Sequence, residues 1–316
     1  MKKAFTLILS LFTFSINISY AQIEMLDNII INVKPTSFYN IIESNNIIVE
    51  FDMEHGIQFS SNGVTHVIDT NNNQVADALV SNLNNNIILV KSGWNNNVVC
   101  FSPESNSIIW TVTIGPGGVN ICQNNKGDLI TIADRDNGNV YLIDIVNKTV
   151  NRLDSYKRFA FYSGIFDNGY KFSIGTSNFN DPSAHELRIY DQKNKQIAST
   201  KAVLNPYNPD LSGIFYDPKY NTIFIDGIGN TIEGYKILDN EIVHFSINNA
   251  RKFIGIITIG TSSLYITKFE NMLSFYNTDI ELINKRQITL SSITMGIANI
   301  FYKNNTLLVY EYRMPK

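Results

Sequence analysis

The residues that could do chemistry in this chain are few, and they form no catalytic pattern. Asp134-Arg135-Asp136-Asn137-Gly138-Asn139 places acidic oxygens at alternate positions, which suits a calcium ion. The run is one residue short of Asp-x-Asp-x-Asp-Gly, and no glutamate follows where a bidentate ligand is needed. Asn137-Gly138 between two apolar runs reads better as a hairpin turn. The histidines, His55, His66, His185 and His244, show no metal-ligand spacing. There is no nucleophile elbow, phosphate loop or metalloprotease helix motif. Asp144 and Asp191 fall in equivalent turns and read as turn-forming acceptors. No metal and no cofactor is expected.

A second kind of chemistry is recognition. Trp94, Arg135, Arg158, Phe179 and Tyr207 are large aromatic or guanidinium side chains in polar, turn-rich segments. Side chains of this type on stiff loops make binding hot spots. Tyr207 lies between Pro206 and Pro209, and Phe179 lies in the longest such loop, Ser177–His185.

The elements that must position these residues come from a repeat. An apolar strand ends in a large side chain, a polar turn follows, and an apolar residue returns seven positions on. The anchors are Phe101, Ile143, Tyr190, Tyr235 and Phe275; the returning residues are Ile108, Val150, Ile197, Ile242 and Leu282. A weaker copy surrounds Phe59. The spacing of about 40–45 residues is that of stacked β-blades. A further pair of apolar runs precedes each hairpin, near residues 38–52, 76–92, 117–135, 159–176, 211–228 and 252–268. A seventh pair, near 294–312, has no hairpin after it. The strand-like stretch Ile23–Val33 is free to supply the outer strand of that last blade and close the ring. The expected fold is all-β: a propeller of four-stranded blades, seven in number, with six or eight as alternatives. Residues 22–316 form one domain and act as a monomer.

The hairpins resemble the YVTN-type and quinoprotein-like (PQQ-like) β-propeller repeats, best over LITIADRDNGNVYLIDIVNKTV from Leu129. The resemblance implies a fold and no single activity, since such propellers serve as enzymes, binding platforms and scaffolds. Trp110 stands where quinoprotein repeats often carry a tryptophan. It is the only such copy, so it reads as a packing residue between blades.

Lys2-Lys3, the apolar run Ala4–Ile16 and Ser19-Tyr20-Ala21 read as a signal peptide, residues 1–21. The apolar run is too short to span a bilayer. Cleavage removes two lysines and no acid, taking the formal charge from −3 to −5. A mildly acidic chain is a poor nucleic-acid binder. Secretion or a periplasmic location is expected, with no transmembrane segment in the mature chain. Cys100 and Cys122 map to the third strand of one blade and the innermost strand of the next, too far apart to bond. Asparagine is abundant and clusters between the apolar runs, where its tolerance of positive φ suits tight turns.

In a propeller, the second–third loops and the crossings between blades share one face. That face collects the five candidate residues together with Tyr156, Lys157, His185 and Arg251. The function expected is therefore an exported, non-catalytic binding or scaffold module for a protein, peptide or glycan. The alternative is a propeller lyase, hydrolase or quinone-dependent dehydrogenase working at the central funnel. A symmetric lectin is disfavoured, because the face aromatics do not repeat from blade to blade.

Overall fold

The structure, a computed structural model, describes residues 26, 29–36, 38, 40–52, 56–70, 74–91, 97–178, 181–204, 213–226, 229–238, 240–259, 262–290 and 294–313. The signal-peptide reading falls outside them. Among the described residues are 27 strands and one short 3-10 turn, Pro182–Ala184.

The strands form seven sheets in chain order. After β1 (Ile30–Thr36), blade one is β2 (Asn40–Ser44), β3 (Ile47–Asp52), β4 (Gly56–Ser61) and β5 (Val64–Ile68). Blade two is β6 (Val75–Val80), β7 (Ile87–Lys91), β8 (Val98–Ser102) and β9 (Ser107–Val112). Blade three is β10 (Gly118–Gln123), β11 (Leu129–Asp134), β12 (Asn139–Asp144) and β13 (Thr149–Ser155). Blade four is β14 (Phe159–Ile165), β15 (Lys171–Thr176), β16 (His185–Tyr190) and β17 (Gln196–Lys201). Blade five is β18 (Ile214–Asp217), β19 (Thr222–Asp226), β20 (Thr231–Leu238) and β21 (Glu241–Asn248). Blade six is β22 (Lys252–Ile259), β23 (Ser262–Phe269), β24 (Met272–Tyr276) and β25 (Leu282–Gln287). Blade seven begins with β26 (Thr294–Lys303) and β27 (Thr306–Arg313).

Each of the first six is a four-stranded meander, and the inner–second pairs fall where the apolar runs placed them. The repeated hairpin is the third–outer pair. Phe101 faces Ile108 and Ile143 faces Val150, as the seven-residue return implies. In the other copies a bulge or a longer register intervenes: Tyr235 faces His244, and its ring stacks on that imidazole at 4.9 Å. The anchors are buried, but the returning residues are not, and Ile108 is 51% exposed. The outer strand covers only one side of its blade, so its apolar residues gain little. The asparagines do turn work: among the described residues, eleven of the fourteen non-glycine residues at positive φ are Asn.

Two compact units result. One comprises residues 37–253 and holds blades one to five. Its apolar clusters sit between successive blades: one and two around Val49 and Leu89, two and three around Ile88 and Ile130, four and five around Ile174 and Ile223. Trp110 packs on the second of these. Between blades three and four, Ala133, Val140, Tyr156 and Ala160 form a cluster with Val119 and Leu153 packed against it. Each fully buried aliphatic contributes about 1.5–3 kcal/mol.

The other unit comprises residues 1–36 and 254–316 and holds blades six and seven with β1. Its core includes Leu26, Ile29, Ile254, Phe275 and Leu307. The N-terminal strand joins the last blade, with a correction to how it does so. β1 pairs parallel to β27, the second strand, and so takes the third position of a sheet ordered β1-β27-β26, not the outer one. Among the described residues this sheet has three strands. Arg286 on β25 donates to the carbonyls of Leu26 (2.6 Å) and Ile29 (3.4 Å), fixing the approach to β1.

Candidate functional site

The turn after β11 and the crossing from β13 to β14 meet on the expected loop face of blades three and four. The fully buried Asp134 ends β11. Its Oδ1 accepts from the Gly117 N–H at 3.1 Å and its Oδ2 from the Asn137 amide at 3.1 Å. Burial pushes its carboxyl above the usual range. With both oxygens engaged by protein donors, this is a closed turn, and the calcium-loop reading loses its central ligand. The Arg135 N–H in turn donates to the Gly117 carbonyl at 2.8 Å. Asn97 of blade two grips the same segment, accepting from the Ile114 N–H and donating to the Gly115 carbonyl at 2.6 Å.

Gly138 completes the turn. The Tyr156 N–H donates to its carbonyl at 2.7 Å. Gly138 has φ +68°, and a Cβ there would lie 2.5 Å from the Tyr156 carbonyl oxygen and 3.0 Å from the Arg158 carbonyl carbon. This close backbone approach brings the Arg135 turn against the Lys157-Arg158 crossing, and only glycine permits it. Gly138→Ala should therefore destabilise the protein by about 2–3 kcal/mol and part the crossing from the turn. A thermal transition unchanged within a degree would refute that account.

The crossing is anchored below. Tyr156 is buried, and its hydroxyl lies 2.8 Å from that of Ser173, which donates to Asp154 at 2.8 Å. Arg188 bridges Asp154 (3.0 Å) and Glu186 (2.8 Å), and its guanidinium lies 4.2 Å from the centre of the Tyr156 ring. Burial holds the Tyr156 phenol well above its usual pKa, so it stays neutral. This polar network joins blades three and four beside their apolar cluster.

Of the five candidate residues, Arg135 lies on the turn after β11 and Arg158 on the crossing whose backbone approaches Gly138 of that turn. Trp94, Phe179 and Tyr207 lie outside the described residues. Lys157 and Arg158 are exposed. Arg158 lies over the Phe159 ring at 5.6 Å, and Arg135 pairs with Asp136 at 3.1 Å with both side chains open to solvent. Two residues expected on this face, Tyr156 and His185, are buried instead. Sequence alone marks Gly138 as a turn residue but not as a contact point, and gives no sign of the Asp154–Arg188 pair. The Asn-Gly turn signal was there, but its contact with residues 156–158 is tertiary.

The first strands of neighbouring blades, together with the end of β19, carry a second polar system. Asp77 sits at a bulge in β6; its oxygens accept from the N–H groups of Ala78 and, in blade three, Ile121, each at 2.9 Å. Asn120, at the equivalent bulge of β10, accepts from the Ser163 N–H of blade four at 2.8 Å. Asp226, ending β19, accepts from Phe253 N–H at 2.7 Å. These side chains clasp one blade to the next. Close packing raises the Asp77 carboxyl to about 7 and the Asp226 carboxyl to about 6. Cys100 and Cys122 are free and buried, and burial pushes them to about 11 and about 12, so neither is a thiolate nucleophile at neutral pH. Asp144 and Asp191 accept from backbone N–H groups of their own turns. Among the described residues no three His, Cys, Asp or Glu side chains group to hold a metal, and no helix is long and apolar enough to cross a membrane.

The fold is that of a β-propeller with seven blades. The crystal structure of the mitotic checkpoint complex contains a chain that aligns with a TM-score of 0.60 and 12% identity, over 89% of this chain and 90% of that one. The Cps50 (Swd1) β-propeller domain from Myceliophteria thermophila aligns with a TM-score of 0.56 and 9% identity, over 80% and 87% respectively. No protein-family model and no curated protein matches the sequence.

Proposed function

We propose that this chain is an exported, non-catalytic β-propeller that holds a protein, peptide or glycan on the loop face of blades two to five. The carrying observation is the junction at Gly138, where the turn that bears Arg135 meets the backbone of the crossing that bears the exposed Lys157 and Arg158. Rigid placement lowers the ordering cost of binding. Two propellers of similar fold support the reading in a general way, one of them solved within a named complex. The polar side chains described on the first strands serve as blade-to-blade clasps, which favours scaffold over catalyst there. In this reading residues 22–316 are one domain and residues 1–21 direct export.

Replacing Trp94, Arg158, Phe179 and Tyr207 together with alanine should abolish capture of the native partner from an envelope extract while the thermal transition stays in place. Undiminished capture would place the partner elsewhere. The mature chain should begin at Gln22 when its mass is measured after secretion.

A further inference from the structure

We infer that a calcium ion binds between the β14–β15 and β18–β19 turns, held by side-chain oxygens of Asp217, Asn221 and Asp167, and ties blade four to blade five. Both are turns between first and second strands, on the face opposite the candidate loops, so the site is independent of the loop-face reading.

A pair of orphaned oxygens points to the ligand. Asp217 ends β18 and is 2% exposed. Its Oδ1 accepts from the N–H groups of Lys219 at 3.0 Å and Tyr220 at 3.2 Å, which folds the carboxylate over its own turn. Its Oδ2 is buried and has no hydrogen-bond partner among the described residues. Asn221 closes the same turn at φ +50°, and its Oδ1 is likewise buried without a partner. Unmatched buried acceptors are costly, a carboxylate oxygen most of all.

Asp167 brings the third donor. Its N–H donates to the Pro218 carbonyl at 2.9 Å, which seats the β14–β15 turn on the β18–β19 turn. The two carboxylates act on one another. Partial burial, then the charge of Asp217, raises the Asp167 carboxyl above its usual range, and Lys219 opposes the rise. Asp167 is exposed, so its side chain can turn toward an ion.

The donor set selects that ion. Two carboxylates and an amide oxygen are hard ligands, and calcium accepts them in the irregular geometry that turns offer. A soft metal finds no thiol or imidazole in either turn. A water molecule can donate to both orphaned oxygens, but it leaves the charges of Asp167 and Asp217 uncompensated.

The test uses the full mature chain stripped with EGTA, calcium chloride, sodium chloride at matched ionic strength, and terbium excited through Tyr220, which lies in the turn itself. About 10 mM calcium should raise the thermal transition by roughly 2–4 °C, and sodium should not. Terbium luminescence should appear and be competed away by calcium with a dissociation constant on the order of 0.1–1 mM. Asp167→Asn, a change at an exposed side chain, should keep the fold and weaken terbium binding roughly tenfold or more. Asn221→Asp should tighten it roughly fivefold by adding a charged ligand. A rival account has the Asn221 amide rotated so that its N–H caps Asp217. It predicts that Asn221→Asp sets two acids together, melts earlier and binds no terbium, and that result would overturn the inference. So would the absence of any calcium response, or an equal calcium shift in the wild type and Asp167→Asn.

Discussion

A chain shortened to begin at Ser37 should lose the unit formed by blades six and seven. The deletion removes β1 and with it all seven registered pairs along β27, from Ile30 with Thr306 to Thr36 with Tyr312. It leaves blade seven with two described strands and exposes the edge of β27. It also removes Leu26 and Ile29, both in the apolar core of that unit, each worth about 1.5–3 kcal/mol. Arg286 loses both carbonyls that it caps. Together these losses are on the order of 5 kcal/mol or more, comparable with the whole stability of an ordinary domain. Open strand edges also invite aggregation. The shortened chain should therefore be insoluble, or melt well below the mature protein, and a synthetic peptide covering residues 22–36 should restore much of the loss. Arg286→Ala, which keeps the strand, should lower stability by about 1–3 kcal/mol. Identical melting of the shortened and mature chains would show that the parallel pairing contributes nothing.

The second large effect is a pH dependence centred on Asp77. Its ordinary value is 3.8 and burial lifts it to about 7 in the folded protein. Between those values the folded state holds a proton that the unfolded chain has released. Stability from this group is thus highest below pH 4, falls as pH rises, and reaches its floor above pH 7. The gap of about three pH units corresponds to about 4 kcal/mol. Asp226, lifted to about 6, acts in the same direction over a narrower window. Asp77→Asn cannot lose a proton. It keeps one acceptor for Ile121 but turns an amide donor toward Ala78 N–H, at a cost of about 1–2 kcal/mol. The variant should accordingly be the less stable protein at pH 4.5 and gain on the wild type by about 3 kcal/mol by pH 8. Urea unfolding at several pH values measures the difference directly. A constant gap between the two proteins across that range would show that Asp77 does not titrate between the blades.

Much of this architecture was legible along the chain because it is local. The pairing of Phe101 with Ile108 and of Ile143 with Val150 follows from a short turn, and a short turn leaves little freedom in register. Tyr235 shows where that stops. It faces His244, not Ile242, because β20 and β21 run on to Leu238 and Glu241 before turning. The strand-like character of the N-terminus could be read, but its direction could not. Alternation of side chains is the same for a parallel and an antiparallel partner, so only docking on β27 decides it. Tyr156 and His185 are buried where sequence alone places them on the loop face, because an aromatic or imidazole next to a strand end looks the same in sequence whether it points outward or folds under its neighbours.

The sequence by itself determined the repeat, the all-β class and the blade count. These depend on residue types at short spacings, where apolar anchors and Asn or Gly turns act within a few residues. Tertiary structure alone decided that β1 runs parallel as a third strand, that Asp77 and Asn120 clasp consecutive blades, and that Gly138 meets the backbone of residues 156–158. Each of those depends on backbone groups far apart in the chain coming within hydrogen-bond distance. At the last of them a glycine leaves room for a carbonyl oxygen 2.5 Å from where a Cβ would stand. No pattern of residue types carries that distance, because it is set by how two blades pack.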